Sequence, residues 1–376
     1  MRQGFKGSSE ILFQGFFSRI LEPSNPGTLF GVMKILAIDI GAGTQDILLF
    51  NSKKNIENSI SLVLPTPSNV LAEKLKRMEG DVFIHGDTIG GGSLARAVSA
   101  HMKKGYRVVM EASAAYSIRN DLDEVASMGI TVGGKPEPAT FQELEIGEID
   151  LPLLKDFLVH FGEDLAVDVV AIAAQDHGVS PKGVSDRVFR FEKAEAMLRK
   201  DNRPESFHFT EQTIPDYYLR MKSAVKAVRR TVPGPVLVMD TAFSAILGCL
   251  DEVTGPSLVA NAGNGHTIAA LLIDGRIEGL YEHHTHELTP ERLERDLRRF
   301  TRGELSSREV YEANGHGAVT LRPYPGDIPV VVTGPNRDLF KGTSMDFVFA
   351  APGGNTMMTG PMGLIKAALF RFGQDH

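Results

Sequence analysis

The sequence predicts an α/β protein with two related lobes, and two patterns carry that prediction. From Met33 onwards, short β-branched runs alternate with helical patterns, as in α/β proteins with mainly parallel sheets. A strand, a Gly-x-Gly turn and a second strand occur near Gly41 and again near Gly263. Because 376 residues exceed what one simple core usually holds, the repeated unit indicates two lobes with a cleft between them.

The alternating pattern predicts the following elements in chain order. Strands are expected at residues 34–39, 46–50, 81–84, 107–110, 167–173, 235–239, 257–261 and 329–332. Helices are expected at residues 70–78, 94–103, 151–161, 217–230, 242–250, 290–302 and 361–370.

The order of these elements also predicts the domain boundaries. Residues 1–32 differ from the rest and are expected to be an extension outside the fold, which then begins at Met33. We expect the first lobe at 33–250, enlarged by an insertion, and the second lobe at 251–376. The last helix, at about 360–372, is expected to return to the first lobe.

Composition narrows the class of protein. The net charge of −7 provides no positive field for nucleic acid or anionic lipid, so neither partner is expected. No apolar stretch approaches the roughly 20 residues of a membrane-spanning helix, which predicts a cytoplasmic protein. The single cysteine, Cys249, lies in an apolar helical run and is expected in the core.

The first glycine turn can bind a phosphate. Gly41 and Gly43 allow a tight turn that brings backbone amides close to an anion, and Thr44 adds a hydroxyl donor. Asp39, at the end of the preceding strand, can hold a hydrated magnesium ion that contacts the phosphate. The alternative is an ordinary hairpin without a ligand.

Five segments resemble motifs of the actin-like ATPase superfamily, which includes sugar kinases, acetate kinases and chaperone ATPases. Residues 39–46 (DIGAGTQD) resemble its first phosphate motif and residues 260–267 (ANAGNGHT) its second. Residues 239–248 resemble its connecting helix, 330–337 its adenosine-binding strand and turn, and 359–364 the start of its closing helix. The resemblance implies a two-lobed, ribonuclease H-like ATPase fold with an insertion in the first lobe, and ATP and Mg²⁺ as cofactors.

The resemblance also implies roles for individual residues. Asp39 would hold the metal. The residues expected to bind the nucleotide are Gly41, Gly43, Thr44, Asp46, Gly263, Gly265, Thr267, Thr333 and Gly334. In hexokinase-like members the position of Asp240 accepts the proton of the attacking hydroxyl, whereas from the residues alone Asp240 is equally a helix N-cap.

One departure from the superfamily pattern affects the expected activity. The second phosphate motif usually opens with an aspartate, but this chain has the neutral Asn261. An amide offers less charge to a magnesium ion, which puts efficient hydrolysis in doubt. We therefore expect an ATP-dependent phosphotransferase or ATPase acting on an unidentified small molecule or protein, with a non-catalytic nucleotide-binding regulatory module as the alternative.

Three further segments have alternative interpretations. Gly90, Gly92 and Ala95, with Glu111 after the next strand, fit a dinucleotide-binding turn or an anion site at a helix N-terminus. Asp176 and His177 form either a polar loop or an acid/base or metal pair that faces the substrate. Residues 282–287 (EHHTHE) form either a solvated loop or part of a metal site that needs a ligand from elsewhere.

Over its whole length the chain also resembles a family labelled as pyruvate formate-lyase activating enzyme. That label implies radical chemistry on an iron-sulfur cluster held by three closely spaced cysteines. The chain has only Cys249, so we expect no such cluster and reject the radical activity.

Overall fold

The computed structural model describes residues 32–137 and 140–373. The predicted extension, residues 1–32, lies outside the described residues except for its last position. No helix within the described ranges is long and apolar enough to cross a membrane.

The first sheet has six strands in the order β3-β2-β1-β8-β10-β9. Its strands are β1 (Lys34–Ile40), β2 (Thr44–Asn51), β3 (Ile60–Pro65), β8 (Val169–Ala174), β9 (His208–Thr210) and β10 (Val236–Met239). The central strands β1, β8 and β10 run parallel to one another, and β2 and β3 are antiparallel on one side. The central strands are mainly apolar because helices and the second sheet cover both faces of the sheet.

The second sheet has six strands in the order β14-β13-β12-β11-β15-β16. Its strands are β11 (Ser257–Ala262), β12 (His266–Ile273), β13 (Arg276–His284), β14 (Gly315–Thr320), β15 (Val330–Thr333) and β16 (Phe347–Phe349). Strands β11, β15 and β16 are parallel, whereas β12, β13 and β14 form an antiparallel meander on the other side.

The two sheets share one connectivity, which confirms the predicted duplication. In each, the first strand pairs with an antiparallel meander on one side and with later, parallel strands on the other. The first turns also match. The Gly41 amide donates to the Thr44 carbonyl at 2.9 Å, and the Gly263 amide donates to the His266 carbonyl at 2.9 Å. This is the two-lobed, ribonuclease H-like α/β fold that the actin-like resemblance implies.

A third sheet is formed by residues between β3 and β8. It is wholly parallel, in the order β6-β5-β4-β7. Its strands are β4 (Val82–Gly86), β5 (Val108–Met110), β6 (Thr131–Val132) and β7 (Gln142–Ile146). It has its own hydrophobic core, which includes Leu75, Ile84 and Leu94.

Eleven α-helices lie in the described ranges, joined in places by short 3-10 turns. The helices are α1 (Pro67–Arg77), α2 (Gly92–Lys103), α3 (Ala112–Ala115), α4 (Leu122–Ser127), α5 (Leu151–Val159), α6 (Asp186–Lys200), α7 (Leu219–Arg229), α8 (Thr241–Gly248), α9 (Pro290–Thr301), α10 (Ser307–Glu312) and α11 (Thr359–Phe372). Every predicted helix and strand is present, with ends that differ by up to three residues. Helices α3, α4, α6 and α10 had not been predicted, nor had the interior strand β13 and the strands at the sheet edges.

Helices α8 and α11 cross between the two large sheets. Helix α11 packs against α8, β1, β2 and β8, and α8 also contacts β11. Their residues join Ala37 of β1 and Val259 of β11 in one hydrophobic core, so both sheets share a continuous apolar interior. This crossing holds the ends of β1 and β11 on opposite walls of a single cleft.

Candidate functional site

The main cleft lies where the carboxyl ends of the parallel strands meet. It is a cavity of about 940 Å³. Its walls include both glycine turns, the ends of β8, β10 and β15, and the glycine-rich loop before α2. The predicted site residues that line it are Asp39, Gly41, Gly43, Thr44, Asp46, Asp176, Asp240, Gly263, Gly265, Thr333 and Gly334. The fold therefore brings together groups that are far apart in the sequence.

The two glycine turns face each other across the cleft and nearly touch. A Cβ atom added to Gly43 would lie 3.2 Å from the Asn264 side-chain nitrogen. A Cβ atom on Gly263 would lie 2.8 Å from the His266 carbonyl oxygen. The second turn therefore needs glycine at Gly263, since a Cβ there would clash with backbone, whereas at Gly43 only the end of the Asn264 side chain would have to move.

Two buried carboxylates lie beside the first turn. Asp39 and Asp46 are directly opposite each other on β1 and β2, and each is less than a tenth exposed. The Oδ1 atom of each has no hydrogen-bond partner among the described residues. Burial raises the pKa of Asp46 to about 6. Burial, and then the nearby Asp46 charge, raise the pKa of Asp39 well above its usual range.

This carboxylate pair fits a divalent cation. Two buried carboxylates with free oxygens repel each other when ionised, and a hard cation with oxygen ligands relieves that repulsion. Helix α11 comes close enough to restrict the space, since a Cβ on Gly360 would lie 1.8 Å from Asp39 Oδ2. The donors present are therefore those that Mg²⁺ prefers.

The second lobe provides a neutral group at the position equivalent to Asp39. Asn261 is the second-to-last residue of β11, as Asp39 is of β1, and both line the cleft.

Gly334 packs against Asn261, because a Cβ on Gly334 would lie 2.6 Å from Asn261 Oδ1 and 2.4 Å from the Ala262 carbonyl. With a φ of 95°, Gly334 also has a conformation that other residues rarely adopt. Thr333 exchanges a hydrogen bond of 3.0 Å with Thr359.

Thr267 does not face the cleft, contrary to its predicted place in the phosphate site. Its side chain is fully buried, and its hydroxyl shares a hydrogen bond of 3.0 Å with the Thr285 hydroxyl. The reason is strand alternation, since successive residues of β12 point to opposite faces of the sheet. Thr267 supports the second turn from behind, because Thr285 in turn donates to the Gly263 carbonyl at 2.8 Å.

Asp240 is held by two partners. Its Oδ1 accepts from the Ala242 amide at 3.0 Å, so it is the N-cap of α8. Its Oδ2 accepts from Arg190 at 2.8 Å. Arg190 is buried and also donates to Glu282 at 2.7 Å, which joins the two lobes through one guanidinium. The role of Asp240 as a proton acceptor stays a prediction.

This ion pair changes what Asp240→Asn is expected to do. From the sequence, asparagine would keep the cap and leave stability unchanged. Because the buried Arg190 would lose one of two anionic partners, we now expect the free energy of unfolding to fall by about 2–3 kcal/mol in chemical denaturation.

Asp150→Asn is the matched control for that measurement. Asp150 caps α5 through the Leu153 amide at 3.0 Å and has no ion pair among the described contacts. We expect its stability to change little. Equal losses in the two variants would show that the Arg190 pair contributes nothing beyond capping.

Asp176 is bound by a backbone amide at each carboxylate oxygen, and its catalytic role stays a prediction. Its Oδ1 accepts from the Gly178 amide at 2.9 Å and its Oδ2 from the Met221 amide at 3.1 Å. Burial raises its pKa despite these bonds. Oδ1 thus holds the turn after β8 and Oδ2 holds the start of α7, so Asp176 orders this wall of the cleft.

Two arginines in or under the cleft were missed in the sequence. Arg190 carries the ion pairs described above. Arg220 donates to the Gln175 carbonyl at 2.7 Å, pairs with the buried Glu148, and lies against Gly90. Neither arginine lies in a recognisable sequence motif. The ion-pair partners that place each of them are distant in the chain.

The contacts of the glycine-rich loop argue against dinucleotide binding. The Ile89 amide donates to Ser117 Oγ at 2.9 Å and the Gly90 amide to Glu148 at 2.9 Å. Glu111, the candidate ribose-binding acid, accepts from the Gly86 amide at 3.2 Å. These groups are therefore already engaged in holding the loop.

Histidines from different segments meet at one side of the cleft. His177 follows β8, His266 begins β12 and His316 lies in β14. His284 also contacts this group, with its ring centroid 4.7 Å from that of His316, and its Nδ1 donates to the Asn314 carbonyl at 2.7 Å. His286 lies on the following turn with a largely exposed side chain.

Cys249 lies in the core, as predicted. It is fully buried after α8, and burial raises the pKa of its thiol to about 12. A thiol in this state is a poor metal ligand, since thiolate is the ligating form.

Comparison with known proteins places the chain in a family. No curated protein matches it. Among solved structures it is similar to the inorganic polyphosphate/ATP-glucomannokinase of Arthrobacter sp. strain KM, with 14% identity, a TM-score of 0.34, and coverage of 92% of this chain and 100% of that chain. It is also similar to MreB 5 of Spiroplasma citri bound to AMPPNP, with 10% identity, a TM-score of 0.34, and coverage of 91% and 98%. The family model described as "Putative pyruvate format-lyase activating enzyme (DUF1786)" matches residues 89–339. Because this match spans more than half of the chain, the protein belongs to that family.

Proposed function

We propose that the cleft binds Mg-ATP and that the protein is an ATP-dependent phosphotransferase or ATPase. One observation carries the proposal. The glycine turns of two sheets with the same connectivity face each other beside a pair of buried carboxylates whose Oδ1 atoms lack partners. Phosphates need amides at close range and a cation to offset their charge, and this arrangement offers both.

In this proposal each glycine turn binds one end of the phosphate chain. Gly41, Gly43 and Thr44 contact one end of the phosphate chain, and Gly263 and Gly265 contact the other. A Cβ at Gly265 would meet no atom within 4 Å, so its backbone is open to a ligand. Binding both ends would keep the lobes closed around the nucleotide.

Asp39 and Asp46 are the residues that would hold Mg²⁺. When bound, the ion offsets negative charge on the phosphates and so favours transfer of a phosphoryl group. The two carboxylates would position the ion beside the first glycine turn, with Gly360 of α11 packed against Asp39. The adenine would lie close to the backbone of Thr333 and Gly334, which line the cleft at the end of β15.

A second candidate function is a nucleotide-binding regulatory module without turnover. The observations that favour it are the neutral Asn261 at the position equivalent to Asp39, and Asp240, whose carboxylate is already engaged by Arg190 and the helix cap. In this case nucleotide binding would change the closure of the lobes without chemistry. Single-turnover assays with labelled ATP distinguish the two functions.

Ligand-dependent stabilisation tests the nucleotide site itself. At 100 times its dissociation constant, Mg-ATP is expected to raise the free energy of unfolding by about 2.7 kcal/mol, because it binds only the folded state. Thermal unfolding with and without Mg-ATP measures this effect. NAD(P) is the control ligand. Stabilisation by NAD(P) together with none by Mg-ATP would contradict both candidate functions and favour the loop before α2.

A further inference from the structure

Three histidines form a compact cluster in the wall of the cleft. His177 lies in the loop after β8 of the first sheet, and His266 and His316 lie in strands of the second sheet. Their ring centroids lie 4.5 Å apart for His266 and His316, and 5.1 Å apart for His177 and His266. One ligating nitrogen from each ring can be chosen so that all three lie within 4.8 Å of one another.

The surroundings orient one of these rings for ligation. His266 Nδ1 lies 2.7 Å from Glu282 Oε1, and in the tautomer that donates to this carboxylate Nε2 keeps a free lone pair. Glu282 is itself held by the buried Arg190 at 2.7 Å. A carboxylate behind a histidine is the usual outer partner of a metal ligand.

His316 provides independent evidence for a ligand. It is 2% exposed, and neither ring nitrogen has a hydrogen-bond partner among the described residues. Buried polar groups are almost always satisfied, and leaving one unpaired is costly. A cation shared with His177 and His266 would satisfy one of these nitrogens.

We propose that His177, His266 and His316 bind one first-row transition-metal dication, with Zn²⁺ as the reference ion. Three imidazole nitrogens suit such ions, whereas Mg²⁺ prefers oxygen ligands, so this site is chemically distinct from the carboxylate pair. Ligating nitrogens about 2.0–2.1 Å from a tetrahedral ion lie roughly 3.3 Å apart, so the rings need only a modest approach to one another.

The site has an open side toward the cleft. His177 and His266 line the same cavity as Asp39 and the glycine turns. With three protein ligands, a tetrahedral ion keeps one position for water or for an oxygen of a substrate. The metal would polarise that oxygen or lower the pKa of the bound water. The expected ligand at this fourth position is therefore an oxygen-bearing small molecule bound next to the nucleotide.

Metal binding to the tag-free, chelator-treated full chain tests this proposal. We expect one Zn²⁺ per chain by calorimetry and elemental analysis, and a visible spectrum typical of tetrahedral coordination when Co²⁺ is used instead. His316→Ala and His177→Ala should each weaken Zn²⁺ binding by at least about 100-fold, more than the loss of an outer partner. His286→Ala is the matched control and should bind normally, because His286 lies outside the cluster.

Three results would overturn the proposal: no stoichiometric Zn²⁺ on the unmodified protein, an octahedral Co²⁺ spectrum, or undiminished binding in both cluster variants. The unmodified-protein measurements decide the question even if a variant fails to fold, and denaturation without metal identifies such a variant. Zn²⁺ and Mg-ATP are titrated separately. Failure of one titration therefore leaves the other site standing.

Discussion

Replacing Gly363 by alanine is expected to lower the free energy of unfolding by about 3 kcal/mol or more. A Cβ atom at this position would lie 1.8 Å from the Ser244 carbonyl oxygen and 2.9 Å from the Gly248 amide nitrogen. These neighbours are backbone atoms of α8, so the helices must move apart. Overpacking of this kind costs about 1–3 kcal/mol or more.

The sign of this effect is informative because helix propensity acts in the opposite direction. Within a helix, alanine is favoured over glycine by about 1 kcal/mol. A net loss must therefore come from the crossing of α8 and α11. The approach is reciprocal, since a Cβ on Gly248 would lie 1.8 Å from the Thr359 carbonyl, and Ser244 Oγ donates to the Gly360 carbonyl at 2.6 Å.

Urea denaturation of the purified variant measures the change. Gly147→Ala is the control, because a Cβ there meets no atom within 4 Å and its backbone is not left-handed. We expect that control to unfold within about 0.5 kcal/mol of the parent protein. A Gly363→Ala protein as stable as the control would show that the crossing tolerates separation of the helices.

Asp39→Asn is expected to weaken Mg-nucleotide binding by about 10–100-fold, the usual cost of losing an outer-shell partner of a metal. Metal-free nucleotide should bind with nearly unchanged affinity, because Asp39 is proposed to act through the ion and not on the phosphates. Parallel calorimetric titrations of ATP with and without Mg²⁺ measure the difference. Equal losses in both titrations would show that Asp39 acts by shaping the turn.

The stability of the same variant provides a second readout. Burial and the Asp46 charge raise the pKa of Asp39, so ionising this carboxyl is less favourable in the folded protein than in the unfolded chain. A neutral amide removes that cost, and we expect Asp39→Asn without metal to be at least as stable as the parent protein. Asp123→Asn, at an exposed carboxylate paired with Lys182, is the control outside the cleft.

The helix of residues 186–200 shows why some elements escaped prediction. Helix α6 carries Arg190 on its buried side, together with Phe189 and Phe191. An arginine among the buried positions breaks the apolar stripe by which a helix is recognised. Its burial is favourable only because Asp240 and Glu282, from distant segments, neutralise its charge.

Local sequence determined the repeated strand-turn-strand units, the central strands and most helices, because glycine turns and apolar periodicity act over a few residues. The single cysteine also determined that one chain cannot supply three cysteine ligands to an iron-sulfur cluster. Only the tertiary structure decided which polar groups meet. Thr267 turned away from the cleft, Asp240 was joined to Arg190, and His177, His266 and His316 were assembled from both lobes. The physical reason is that the partners of a buried charge or a metal ligand are set by contacts between segments remote in sequence, and no local pattern encodes those contacts.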